Sequence, residues 1–253
     1  MYCYIYDIFT NQKKYEKQLL KIELLLADLG IAGKTYKLNV LKNLEGVIAE
    51  AVNEGIKTIV AVGNDQTVSK IVNLIIDQGL TLGIIPVGEN NLLATSLGIK
   101  SSEEAGQILA ARKIGRLDVG KINDQYFLLG LESGDSNIVF DLKDYNIQPR
   151  DNNGAVGLYN INISNYEFRA DPEDGIMEAV FAPKKQVWWQ NIWHKEGAKP
   201  ERISVFPVRG LIINHQKKPI TINVDRQRTI KTPAVVEVLK NKLRVIIGKE
   251  KSN

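Results

Sequence analysis

Cysteine and histidine are nearly absent from this sequence, which has one cysteine, Cys3, and two histidines, His194 and His215, in 253 residues. One cysteine excludes an intramolecular disulfide, and two distant histidines without a ligand-spaced partner give no zinc pattern. Cys3 lies in an apolar N-terminal run, which suits a small buried side chain better than a reactive thiol. No apolar run approaches the roughly 20 residues that span a bilayer, and no cationic-then-apolar leader opens the chain, so a cytoplasmic location is expected. A large charge excess is also missing: 33 Lys plus Arg face 29 Asp plus Glu, a formal +4. That balance gives a mild attraction to anions and no case for a nucleic-acid partner.

What is present is an ordinary globular mixture, 44% hydrophobic and 25% charged, long enough for one large domain or two modest ones. Met1 to Phe9 suits a buried strand, and Leu19, Ile22, Leu25, Leu26 and Leu29 then recur at helical spacing across 11–28. Lys34 to Leu38 offers a second strand, and Leu44, Val47, Ile48, Ala51 and Val52 line a second helix. The continuous β-branched run Thr58 to Val62 fits a parallel strand covered on both faces. It leads through Gly63-Asn64-Asp65-Gln66 into a helix over 67–77. Strand Thr81 to Ile85, the turn Pro86-Val87-Gly88-Glu89-Asn90 and a helix through Leu97 repeat the unit. Ser101 with Glu104 forms a capping box for a short helix to Ala111. Such repeats imply a right-handed, doubly wound parallel sheet, whose ligands sit beyond the carboxyl ends of the strands.

After Ala111 the helical periodicity fades. Leu117 to Ile122 and Gln125 to Leu131 flank Asn123-Asp124 as a hairpin, and β-type runs recur at 156–163, 203–208, 220–224, 235–239 and 243–247. The expected organisation is a doubly wound α/β domain over residues 1–114 and a β-rich, sandwich-like domain over 115–253. The last strand is expected to cross back.

A strand-to-helix turn presents unpaired amides and the positive end of a helix dipole, both suited to phosphate oxygens. Gly63 permits close backbone approach, Asp65 offers a carboxylate and Thr67 a hydroxyl; Gly88 and Asn91 form a second such edge. Taken alone, these turn residues support an ordinary loop equally well. Trp188, Trp189 and Trp193, interleaved with lysines, suit a domain or dimer interface somewhat better than a transient membrane contact.

The order of these motifs resembles the catalytic family of the diacylglycerol kinases, which shares its fold with NAD kinases. Val62-Gly63-Asn64-Asp65-Gln66-Thr67-Val68 is similar to the family's Gly-Gly-Asp-Gly-Thr loop. Leu82 to Gly88, followed by Asn91, Ala94 and Leu97-Gly98-Ile99, is similar to its second nucleotide segment, and Arg116 to Asn123 to the strand entering its β-rich domain. Asp171 to Glu178 resembles a segment that binds structural magnesium in some members. Pro219 to Asp225 resembles the late strand that ends in Asp-Gly-Glu.

The resemblance implies an ATP- and magnesium-dependent phosphotransferase acting on a lipid hydroxyl. Asp65 would be the catalytic carboxylate; Gly63, Asn64, Gln66, Thr67, Gly88, Glu89, Asn91 and Asp225 would border the nucleotide; Asp174 and Ile176 would hold the metal. A homodimer is also expected from the family. Three departures favour an alternative, a catalytically impaired nucleotide-binding or regulatory module. Asn64 and Gln66 replace glycines, at a steric cost if the backbone needs positive φ. Glu89 replaces a threonine and would repel phosphate. The late acid has become Gln227, which accepts no proton near neutral pH. NAD kinase ranks third, because no Asn-Glu pair or Thr-Gly-Ser-Thr segment follows the first loop.

Overall fold

Strands Thr58 to Gly63 and Thr81 to Pro86 are buried at every position, as uninterrupted apolar runs should be when helices cover both faces of a parallel sheet. The computed structural model describes residues 1–39, 43–135, 137–149, 154–161, 168–183 and 203–248; the Trp188, Trp189 and Trp193 segment lies outside them. The chain divides into two units, Met1–Leu117 with Asn241–Asn253, and Asp118–Lys240.

The first unit contains β1 (Tyr2–Tyr6), α1 (Glu16–Asp28), β2 (Lys34–Lys37), α2 (Leu44–Asn53), β3 (Thr58–Gly63), α3 (Asp65–Ile75), β4 (Thr81–Pro86), α4 (Leu92–Ser96) and α5 (Ser102–Ala111). Its strands run parallel in the order β2-β1-β3-β4. Tyr6 lies opposite both Lys37 and Val62, and Gly63 opposite Pro86. The register therefore brings the segments after β1, β3 and β4 to one edge. α1 starts at Glu16 rather than near Asn11 because two short 3-10 turns, Ile8–Asn11 and Lys13–Tyr15, come first and meet at an extended Gln12. Cys3 is fully buried in β1, and that burial pushes its thiol up to about 12.

Strand β5 (Ile114–Ile122) carries the chain into the second unit, which contains β6 (Gln125–Phe127), β7 (Gly130–Ser133), β8 (Ile138–Asp141), β9 (Asn146–Ile147), β10 (Gly154–Tyr159), β11 (Met177–Pro183), β12 (Ser204–Val208), β13 (Gly210–His215), β14 (Thr221–Val224) and β15 (Arg228–Lys231). Six strands form an antiparallel sheet in the order β12-β11-β10-β7-β14-β15. β13 pairs with β8, and β8 with β9. Phe127, Phe140, Val156, Met177, Leu211 and Val224 meet in one buried core, fed by alternation such as the exposed-buried pattern of β14.

β16 (Ala234–Ile246) is one strand where two were expected. Asn241 takes a left-handed φ of 53° within it, which interrupts the alternation without ending the strand. Its first half pairs with β13, and its second half lies parallel to β4, with Val245 opposite Leu82. The chain thus returns to the first unit, while the division falls at 117/118 rather than at 114.

Candidate functional site

At the carboxyl edge of β1, β3 and β4 the polar side chains are bonded to one another and to helix ends. Asn64, extended at φ −107°, caps α3: its Oδ1 accepts from the N–H of Gln66 at 3.1 Å and of Thr67 at 3.3 Å. Thr67 Oγ1 accepts from the Asn64 N–H at 3.3 Å and donates to Asp7 Oδ2 at 2.8 Å. Gly63 is required by this packing, since a Cβ there would overlap Thr67 Oγ1. The steric cost expected of Asn64 and Gln66 does not arise. Neither takes a positive φ, because Asn64 is extended and Gln66 already lies in the helix.

Asp65 is 6% exposed, and its carboxylate reaches the next helix. Oδ2 accepts from the Leu92 N–H at 2.9 Å and Oδ1 from the Leu93 N–H at 3.0 Å, while the Asp65 N–H donates to the Asn90 carbonyl at 2.9 Å. A negative charge there complements the α4 dipole. The second turn is held by Asn91 Nδ2, which donates to the Gly88 carbonyl at 2.8 Å. Gly88 needs its left-handed φ of 79°, and a Cβ on it would lie 3.0 Å from the Phe9 ring and 3.2 Å from the Tyr15 hydroxyl.

The structure therefore brings Gly63, Asn64, Asp65, Thr67, Gly88 and Asn91 together, with Gln66 and Glu89 exposed on the same turns. Asp7 went unnoticed in the sequence. The signal available for it was an acid directly after an apolar strand, at the edge where ligands bind. Asp7, Leu38, Asn39, Thr67 and Lys70 border a cavity of about 180 Å³. The first-turn amides of α3 are all occupied within the protein, those of Asp65 and Val68 by the Asn90 and Asn64 carbonyls. Asn64 takes two amides of α3, and Asp65 takes two of α4 while placing a fixed negative charge at that helix start.

Asp225, Asp174 and Ile176 belong to the second unit. Asp225 takes a left-handed φ of 51° in the turn after β14, and its carboxylate accepts from the N–H groups of Leu128, Leu129 and Gly130 at 2.8–3.3 Å. Burial pushes this carboxyl upward, opposed by those amides and by Arg228. At 2% exposure it presents almost no surface to a nucleotide. Gln227 donates its N–H to the Val224 carbonyl and closes the same turn.

In the Asp171 to Ile176 turn, Asp174 Oδ1 accepts from the Ile176 N–H at 2.9 Å, and the Asp174 carbonyl accepts from Lys240 Nζ at 3.4 Å. Magnesium needs octahedral oxygen ligands near 2.1 Å. Here one carboxylate oxygen is spent on an amide, an ammonium group stands at the carbonyl, and no group of three or more acidic, histidine or cysteine side chains gathers among the described residues. This donor set does not fit a magnesium ion.

The chain thus joins a parallel sheet, whose glycine-bearing turn and buried aspartate meet at its carboxyl edge, to an antiparallel β unit. Residues 2–122 match the family described as the diacylglycerol kinase catalytic domain. It is similar to a probable lipid kinase YegS-like from Enterobacter sp. (strain 638), 33% identical over 34% of this chain and 31% of the relative. It is also similar to a diacylglycerol kinase from Bacillus subtilis (strain 168), 27% identical over 49% of this chain and 42% of the relative. These matches span less than half the length of the curated relatives. The fold match runs the full length. Two solved structures, a diacylglycerol kinase and a putative diacylglycerol kinase from Bacillus anthracis str. Sterne, superpose with TM-scores of 0.74 and 0.75 at 18% and 16% identity. Each covers 98% of this chain and 96% of the other.

Proposed function

We propose that this chain is a slow ATP-dependent phosphotransferase of the lipid-kinase type, acting on a lipid hydroxyl. The observation that carries this is Asp65, buried at the carboxyl edge of β3 and β4 beside the Thr67–Asp7 hydrogen bond, in a stretch that matches a kinase catalytic domain. Magnesium arriving with ATP supplies charge neutralisation on the transferred phosphoryl group. The chain's own residues position. Gly63, Gln66, Thr67, Gly88, Glu89 and Asn91 border the phosphates, and Asp65 orients the acceptor hydroxyl. Turnover is slow because Asn64 competes with phosphate for the α3 amides and Glu89 adds negative charge at the second turn.

One arrangement favours the second reading, a nucleotide-binding module without turnover. The late acid is Gln227, and neighbouring Asp225 is sealed inside the β unit. Calorimetric titration with ATP and magnesium, paired with phosphate transfer to diacylglycerol in detergent, separates the two. Binding with slow transfer, both weakened in Asp65→Asn, supports the kinase; binding without transfer supports the module; no binding sinks both. Freeing the Gln66 and Thr67 amides by Asn64→Gly is expected to tighten ATP by about twofold, the scale of replacing a helix cap by glycine.

A further inference from the structure

The turn from Asp171 to Ile176 satisfies its polar groups within the protein. Pro172 has no N–H, and each of the next four amides has an acceptor. Glu173 donates to Asp171 Oδ1 at 3.2 Å, Asp174 to the Asp171 carbonyl at 3.5 Å, Gly175 to Asp118 Oδ2, and Ile176 to Asp174 Oδ1 at 2.9 Å. The Pro172 carbonyl accepts from the Asp118 N–H at 2.6 Å, and the Asp174 carbonyl from Lys240 Nζ at 3.4 Å. Asp118 therefore grips the turn twice, through its backbone and through a carboxylate that is fully buried. Lys240 covers it from outside. A Cβ on Gly175 would lie 3.0 Å from Lys240 Cδ, so the lysine stem rests on the glycine and carries its ammonium to the Asp174 carbonyl. Asp118 is itself anchored: Asn160 Nδ2 donates to the Asp118 and Leu128 carbonyls at 2.9 and 3.1 Å, and the Leu128 N–H donates to Asp225. Asn160 Oδ1 is buried without a partner among the described residues, but one neutral oxygen falls far short of the six ligands that magnesium gathers.

We propose that Asp118 and Lys240 stand in for a bound divalent cation at this turn, so that the second unit folds and keeps the turn closed without one. A cation at an acidic turn neutralises carboxylates and ties loop oxygens to the body of the domain. Here a tethered ammonium supplies the positive charge, and a buried carboxylate supplies the tie by taking the Gly175 amide. A divalent ion at Asp118 Oδ2 or Asp174 Oδ1 competes with a bonded amide, and at the Asp174 carbonyl it meets an ammonium of like charge. The inference concerns the fold of the second unit alone, and its test uses neither nucleotide nor turnover, so it and the kinase reading can fail separately.

The test is hydrogen exchange of the turn amides in the full chain, compared between excess EDTA and millimolar magnesium chloride at matched ionic strength. Protection at Gly175 and Ile176 is expected to be equal in the two. D118A, which removes the acceptor, is expected to speed Gly175 exchange roughly tenfold or more, and D118N, which keeps one oxygen, by less. K240M keeps the stem but not the charge and is expected to speed exchange of the turn about twofold, with K240R at the wild-type rate. Protection in the wild type that rises with magnesium, or unchanged exchange in D118A, would overturn the proposal. So would equal rates in K240M and K240R, which leave the ammonium no part. The wild-type comparison needs no variant and decides the matter even where D118A does not fold.

Discussion

In the first unit, Asp7 and Asp65 lie where parallel strands stop, bonded to a threonine hydroxyl and to helix amides, and are 8% and 6% exposed. In the second unit, Asp118 and Asp225 lie inside β structure at 0% and 2%. Asp118 Oδ2 accepts from the Gly175 N–H, and Asp225 accepts from three successive amides. The same side chain has two uses. At the edge of a parallel sheet a carboxylate caps a helix or holds a neighbouring hydroxyl. Within an antiparallel sandwich it satisfies loop amides that would otherwise be orphaned, and has nothing left for chemistry.

The comparison breaks most visibly at Asp225. Asp225→Ala strands three buried amides, each costing about 1–3 kcal/mol, so a loss of at least about 3 kcal/mol is expected by urea denaturation. A loss below about 1 kcal/mol would show that those amides have access to water. Asp65→Ala orphans two amides of α4, and about 2–3 kcal/mol is expected. Asp65→Asn, which keeps one acceptor and faces the other amide with an NH2, should retain about half of that stability while losing ATP affinity; equal losses in the two variants would make Asp65 purely structural. Thr67→Val removes a hydrogen bond to a buried carboxylate and should cost about 1.5–3 kcal/mol, with no change in the second unit's protection from hydrogen exchange.

The smallest effect tests the second unit at its surface. Asp135 is held below the usual carboxylate range by the Asn137 backbone and side-chain amides and by His215. A lowered carboxyl stabilises the fold above its unfolded value near 4 and loses that contribution as pH falls through the lowered value. Asp135→Asn should therefore flatten the acid limb of a plot of thermal midpoint against pH by lowering the neutral-pH midpoint slightly while leaving the most acidic points almost unchanged; an unaltered acid limb would remove Asp135 from the titration.

Much of the first unit was legible because its signals are local. Thr58 to Val62 declares a buried strand through its own side chains, and Ser101 with Glu104 announces a helix start that the structure contains, with Ser101 Oγ accepting from the Glu104 N–H at 3.1 Å. The second unit was less legible. β8, β9, β13 and β15 are short or polar at every other position, and they form because distant strands present partners. The candidate site divides the same way. Gly63, Asp65 and Thr67 could be read as a turn, whereas Asp7 meets Thr67 across 60 residues, and Asp225 meets Leu128 across 97.

The sequence by itself determined the alternating strands and helices, the turns that end them and the family that the loop motifs resemble, because periodicity, capping and glycine placement act over a few residues. Tertiary structure decided which partners each carboxylate takes, helix amides and a hydroxyl at the sheet edge or loop amides inside β structure. A hydrogen-bond partner, unlike a helix, is chosen by whatever the fold brings within 3 Å.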